Sequence, residues 1–349
     1  MLTKEINTIG LGSFFPTIAP KVLEASAKIE AIKNYELFYT GRHAIKHLLT
    51  LLQVRKKIRK IWLPNYYCPH VTSWLRANFN TIDTYAIEPF FAKLPINFDD
   101  FATEEDVVIL NNFWGIYEYQ IPKNKNRAVY IEDHSHGWLS APCLESKADY
   151  CFASLRKTLP IPLGGILWQP NGNEDLSVLN KTNKEDFSMV WDKINTAMTL
   201  KCHFNINETG TVNDYLKIIG ETEDFLHHQY TVIPINEKHK EFILKYLGKE
   251  YNNVKSQNFE YILKKLVPKS EFAILDNKNT FGLELVFKDR EAFNSLKQHL
   301  IHNKIYPSEL WAENILETPY KYLLNIHIDF RYTTETMDYI AEKLNSWNS

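Results

Sequence analysis

The chain has 349 residues, 44% hydrophobic and 23% charged, with 12 Gly and 15 Pro, proportions that exclude a disordered or collagen-like protein. Its 40 basic and 42 acidic residues nearly cancel, so composition gives no electrostatic footprint for nucleic acid or an anionic membrane. No apolar stretch approaches the roughly 18 residues needed to span a bilayer.

The first fifteen residues, MLTKEINTIGLGSFF, lack the basic-then-apolar form of a secretory signal, and a cytoplasmic protein is expected. Residues 20–34 (PKVLEASAKIEAIKN) read as a first helix, apolar at Val22, Leu23, Ile29 and Ile32. A short apolar run, Leu37-Phe38-Tyr39, is punctuated by Thr40-Gly41. A helix follows with Ala44, Ile45, Leu48, Leu49 and Leu52 on one face. The basic run Arg55 to Lys60 reads as a solvated turn before the strand IWLP. A helix from about Pro69 to Asn78 and the strand TIDTYAI come next, then the apolar runs VVILNN, AVYIED, DYCFASL and GGILWQ. Short apolar runs with little alternation, interleaved with helices, predict a mostly parallel sheet covered on both faces.

Residues 173 to 223 are helical in pattern, and after Pro234 helices alternate with the paired runs FAILD and FGLELVFK up to a last helix near Trp347. The expected organisation is an N-terminal segment (1–34), a large α/β domain (35–233) and a small α+β domain (234–349). The cysteines, at 68, 143, 151 and 202, show no C-x-x-C and no His at ligand spacing. Reduced thiols and no metal are expected.

In a parallel α/β sheet, ligands gather beyond the carboxyl ends of the strands. Those positions carry Thr40-Gly41-Arg42, Pro64-Asn65-Tyr66-Tyr67, Asn111-Asn112, Asp133-His134-Ser135-His136 and Ser154-Leu155-Arg156-Lys157. Singly, each has a plain structural reading: Gly41 as a turn, Asp133 as a helix cap, His136 as a core histidine, Lys157 as a surface lysine. Together they match what pyridoxal phosphate requires. That cofactor needs an amine for its aldehyde, a carboxylate against its pyridine nitrogen, N–H groups of a helix start for its phosphate and an aromatic partner for its ring.

The stretch from about 35 to 170 resembles the fold-type-I pyridoxal-phosphate enzymes, and within them the DegT/DnrJ/EryC1/StrS sugar aminotransferases. TGRHAIKHLL is similar to the family's phosphate cradle, WLPNYYCPHV to the segment over the ring, YIEDHSHGWLSA to its E-D-x-x-[Q/H]-x-x-G element, and CFASLRKTLPIPLGG to its lysine loop. The resemblance implies an aspartate-aminotransferase-like fold, with a three-layer α/β/α large domain and a small α+β domain. It implies that Asp133 pairs with the pyridine nitrogen, His136 meets the phenolic oxygen, and Lys157 forms the internal aldimine and moves the substrate's proton. Ser154, Gly41 and Arg42 are implied at the phosphate, and Asn112 near the ring oxygen.

The sequence departs from the family pattern at several places. Arg42 replaces the usual Thr, and Phe152 replaces a serine five residues before the lysine. Cys68 stands where an aromatic is usual, which passes stacking to Tyr66, Tyr67 or His70. No counterpart of the N-Y-R-M segment is present. Arg331 is read either as a two-pronged grip on a substrate carboxylate or as a structural pair with Asp329. The YPSELW segment is read as burying Trp311 in the small domain, with a loop reaching the site mouth as the alternative.

The expectation is aminotransfer from a small-molecule donor to a keto-sugar or small polar keto acceptor, by a homodimer. The alternatives are other pyridoxal-phosphate chemistry (lyase, desulfurase or decarboxylase) and a degenerate relative with a binding or regulatory role.

Overall fold

The structure, a computed structural model, describes residues 12–91, 96–124, 126–177, 185–207, 210–275 and 277–348. Residues 1–11, most of the stretch read for a signal, lie outside the described residues, as do 178–184 and 208–209 within the stretch read as helical.

In chain order the elements are β1 (Glu24–Ala25), β2 (Tyr35–Phe38), α1 (Gly41–Arg55), β3 (Ile61–Pro64), α2 (Pro69–Arg76), β4 (Ile82–Tyr85), β5 (Val107–Asn111) and β6 (Val129–Asp133). They continue with α3 (Ala141–Leu144), β7 (Tyr150–Ser154), β8 (Gly165–Trp168), α4 (Glu185–Asn207), α5 (Val212–His228), α6 (Glu237–Leu247), β9 (Lys249–Glu250) and α7 (Asn252–Leu263). Last come β10 (Phe272–Ile274), β11 (Leu283–Phe287), α8 (Arg290–His302), β12 (Ser308–Leu310), β13 (Tyr322–Ile326) and α9 (Thr334–Ser346).

Seven strands form one sheet in the order β2-β8-β7-β6-β5-β3-β4. β8 runs antiparallel to both its neighbours, and every other pairing in the sheet is parallel. The apolar runs fail to alternate because both faces are covered. Val107, Ile109, Ile131 and Phe152 pack on one side with Ala44, Ile45, Leu48 and Leu49 of α1. Val108, Leu110, Tyr130 and Ala153 pack on the other with Trp191, Ile194 and Met198 of α4. A four-stranded antiparallel sheet, order β10-β11-β13-β12, carries α7, α8 and α9 and has its own core around Leu285, Phe293, Leu324 and Ile340. The buried residues of α6, Ile243, Tyr246 and Leu247, pack in the core of the large sheet.

The helix expected over 20–34 is corrected. The chain there makes two short 3-10 turns, Pro20–Val22 and Ala27–Ala31, separated by β1, which pairs antiparallel with β9. The Ser26 N–H bonds the Gly248 carbonyl at 2.9 Å, and its hydroxyl accepts from the Lys28 N–H. Cross-chain pairing and a local serine cap outcompete a weak helical periodicity.

Two devices position the end of the sheet that bears the candidate residues. Thr40 caps α1 by accepting from the His43 N–H at 3.1 Å, a contribution of about 1 kcal/mol. A β-carbon at Gly165 would lie 2.3 Å from the Thr40 carbonyl oxygen, so only glycine lets β8 begin this close to the turn that launches α1.

Candidate active site

A cavity of about 500 Å³ opens at the carboxyl ends of β5, β6 and β7, where the sheet presents its strand ends to the start of α1. Gly41, Arg42, Asn111, Asp133, His136, Ser154 and Lys157 line it, with Cys68 and His70 from the β3–α2 turn, Glu223 and His227 from α5, and Trp311.

The Lys157 amine stands 3.2 Å from His136 Nε2. His136 is 4% exposed. Burial first, and the neighbouring Lys157 charge second, hold its pKa well below the usual histidine value. The ring is therefore neutral near pH 7 and offers Nε2 as an acceptor to the amine. Trp114 stacks on the imidazole at 5.5 Å with planes 10° apart, and Phe281 and Trp311 pack at 5.1 and 5.6 Å. His136 Nδ1 is buried without a hydrogen-bond partner among the described residues.

Asp133 ends β6 and is fixed from three directions. Tyr67 donates its hydroxyl to Oδ2 at 2.6 Å, while the Ser135 N–H and hydroxyl reach Oδ1 at 2.9 and 2.5 Å. Burial, then the Asp133 carboxylate, pushes the Tyr67 hydroxyl well above its ordinary pKa, which keeps it a donor. The Ser154 N–H in turn donates to Ser135 Oγ at 2.9 Å, tying the lysine loop to the aspartate loop.

At the other end of the cavity, α1 presents first-turn N–H groups that have no intrahelical acceptor. Ser154 lies against them, since a β-carbon on Gly41 would sit 3.2 Å from Ser154 Cβ. Arg156 is ion-paired with Glu223. Burial would raise the Glu223 carboxyl, and Arg156 and Arg42 outweigh it, so the group stays below its ordinary range. Arg42 is partly buried, and burial lowers its guanidinium against the opposing pull of Glu223.

Four expectations from the sequence are corrected here. Asn112 does not line the cavity: it is fully buried, its amide donates to the Tyr117 carbonyl at 2.5 Å, and the strand pleat turns Asn111 to the cavity instead, with an unpartnered Nδ2. Tyr66 is a core residue, bonded to the Leu310 carbonyl at 2.7 Å and packed on Phe90, Phe113 and Trp311, while Tyr67 reaches the site only through Asp133. Trp311 lines the cavity and is not enclosed in the small domain; its φ of 55° places it in the left-handed region, a strain of about 1 kcal/mol or more for a bulky residue. Arg331 does not line this cavity. Two of its nitrogens hold Asp329 at 2.7 and 2.6 Å, and a third donates to the Gly12 and Phe14 carbonyls. With its fork filled by Asp329 and the carbonyls, Arg331 forms the structural pair.

Glu223 and His227 were not foreseen, because α5 follows Lys157 by more than fifty residues and carries no motif. The structure also places a histidine beside a cysteine, contrary to the spacing argument: Glu132 pairs in register with Cys151 across β6 and β7, and Glu132, His134 and Cys151 come together in the core behind Asp133. Ser146 donates to Glu132 at 2.5 Å and accepts from the Cys151 thiol at 3.3 Å.

Among the described residues no helix is long and apolar enough to cross a membrane. No protein-family model matches the sequence, and no curated protein matches it. Solved structures do match in fold. The sugar aminotransferase CalS13 from Micromonospora echinospora superposes with a TM-score of 0.61 at 14% identity, over 97% of this chain and all (100%) of that one. PseC from Helicobacter pylori, an aminotransferase involved in the biosynthesis of pseudoaminic acid, gives 0.62 at 12% identity, over 96% and 98%. Spr1654 from Streptococcus pneumoniae, in its PLP-form, gives 0.59 at 12% identity, over 96% and 92%. The chain thus has the aspartate-aminotransferase-like fold over the 96–97% of its length that these structures match.

Proposed function

We propose that the chain is a pyridoxal-phosphate-dependent aminotransferase whose Lys157 amine holds the cofactor's aldehyde. The observation that carries this reading is the convergence of Lys157, His136 and Asp133 on one cavity that also takes in the start of α1. The residues present fit that cofactor: an amine, a fixed carboxylate, free helix-start N–H groups, and an unpartnered Asn111 amide and His136 Nδ1 in the same wall.

When bound, the cofactor supplies an electron sink that lowers the cost of removing a proton from the amine-bearing carbon. Asp133, held by Tyr67 and Ser135, would keep the pyridine nitrogen protonated by offering a negative charge. The α1 N–H groups, Ser154 and Arg42 would face the phosphate. Lys157 is the group placed to move the proton, and neutral His136 orients its amine. Trp114, Phe281 and Trp311 exclude water around the imidazole, which strengthens its interaction with the amine.

The keto-sugar or small polar keto acceptor is supported by what the fold neighbours named above act on. A cytoplasmic homodimer is part of the same reading, and light scattering at micromolar concentration giving the mass of two chains checks the assembly. Keto-acid release from an amino donor, by wild type loaded with pyridoxal phosphate and not by Lys157→Ala, tests the activity. Failure of every amino acid and amino sugar tried to yield a keto product would count against it.

A further inference from the structure

A second cavity, of about 330 Å³, lies on the other side of His136. The turn Gly115–Glu118, the segment Gly137–Glu145, the β9–α7 junction and residues 277–281 enclose it. His136 lines both cavities, so the imidazole is a shared wall.

Lys255, on α7, lines this space and is 7% exposed. Among the described residues no hydrogen bond reaches its amine; only charges at longer range act on it. The acidic groups that act on it most are Glu284 of β11, Asp329 beyond β13 and Glu250 of β9, and Lys28 acts against them. Among the described residues none of those acids bonds the Lys255 amine. Asp329 holds Arg331, and Glu250 holds Lys28 at 3.0 Å and the Asn252 amide at 3.0 Å. Glu284, the acid that acts most strongly on Lys255, is buried with both oxygens unbonded; burial raises its pKa and the Lys255 charge opposes that. Glu118 and Glu145 line the cavity but are exposed to solvent.

A cation held this far from bulk water with no acid bonded to it is costly, and a cavity beside it can take an anion. Burial, against the pull of those acids, brings Lys255 down to about 8, and it remains mainly charged at pH 7. Asn277 and Asn279 line the same space, and their side-chain amides suit a hydroxylated body.

We propose that this cavity takes the acidic group, carboxylate or phosphate, of a small hydroxylated ligand, with Lys255 as its anchor and His136 as the wall that it shares with the Lys157 cavity. This binding site does not rest on the aminotransferase reading.

Isothermal titration at pH 7 with glucuronate, glucose 1-phosphate and uncharged glucose tests it without cofactor. At least one of the two anions binds saturably, and which one identifies the group; glucose does not compete. Lys255→Met loses on the order of tenfold in affinity, Lys255→Arg restores most of it, and Arg42→Gln leaves it unchanged. Wild-type affinity falls between pH 7 and 9.5 as the amine loses its proton. A thermal melt confirms that Lys255→Met is folded, as expected when a buried unpaired charge is removed. The site is overturned if neither anion binds the wild type, if Lys255→Met binds as well as wild type, or if affinity is lost through Arg42→Gln instead. Anion binding without a cofactor absorption band removes the aminotransferase reading alone; a band without anion binding removes this site alone.

Discussion

The Tyr67 hydroxyl donates to Asp133 Oδ2 at 2.6 Å, so a residue at the end of β3 fixes the carboxylate at the end of β6. The sheet order places β5 between those strands, and the bond spans it above the sheet. Tyr67→Phe removes that donor and leaves the two Ser135 bonds. A hydrogen bond to a charged group contributes about 1.5–3 kcal/mol, so cofactor affinity falls by roughly ten- to a hundredfold. Spectrophotometric titration with pyridoxal phosphate measures it, and an unchanged dissociation constant contradicts the positioning role.

Gly165→Ala attacks the other end of the site. Its methyl would meet the Thr40 carbonyl at 2.3 Å, and the object in the way is backbone, which yields only if the start of α1 moves. The variant loses about 1–3 kcal/mol of stability by overpacking, and its cofactor affinity drops as well. Urea denaturation together with the same titration shows both; a variant as stable as wild type contradicts the close approach.

Arg331→Leu separates structure from substrate recognition. It leaves the Asp329 carboxylate buried and unpaired, which costs about 3–5 kcal/mol. Cofactor affinity stays within a factor of about two, because Arg331 does not line the Lys157 cavity. A stable variant with weakened substrate binding would restore the carboxylate grip considered from the sequence.

Stability falls on acidification below neutrality. His43 and His327 are buried, and burial first, with neighbouring cations adding, lowers them to about 4 and about 3; His136 is lowered in the same direction. The unfolded chain takes up these protons near pH 6.5 while the native state refuses them. Above pH 6.5 nothing is lost. Between 6.5 and about 4 each such histidine removes about 1.4 kcal/mol per pH unit. Urea midpoints at pH 7.5, 6.0 and 5.0 follow this decline, and His43→Gln makes it shallower; a flat profile contradicts it.

The large sheet was legible because its strands are short apolar runs ended by polar residues, and burial on both faces is what such runs mean. The site positions were legible for the same reason, since each lies where an apolar run stops. What the sequence could not show depends on pairing between distant segments. Glu24 and Ala25 become a strand only because Lys249 and Glu250 are there to pair. Trp311 reaches the cavity through a left-handed residue after β12, and no local signal marks a bulky side chain for that conformation. Asn111 and Asn112 are adjacent, and strand alternation alone decides which faces the cavity, so the register at the end of β5 had to be seen. Arg331 follows Asp329 by two residues, a spacing that serves either a salt bridge or a substrate grip until the Gly12 and Phe14 carbonyls are placed.

The central claim is that Lys157 carries the cofactor in the cavity it shares with Asp133 and His136. The direct measurement is the visible absorption spectrum of the purified protein with pyridoxal phosphate, before and after borohydride, beside Lys157→Ala. The account predicts a visible band that borohydride removes, a cofactor-modified peptide containing Lys157 by mass spectrometry, and neither in the variant. A wild type that shows no band, or one whose band and modified peptide persist in Lys157→Ala, would contradict it.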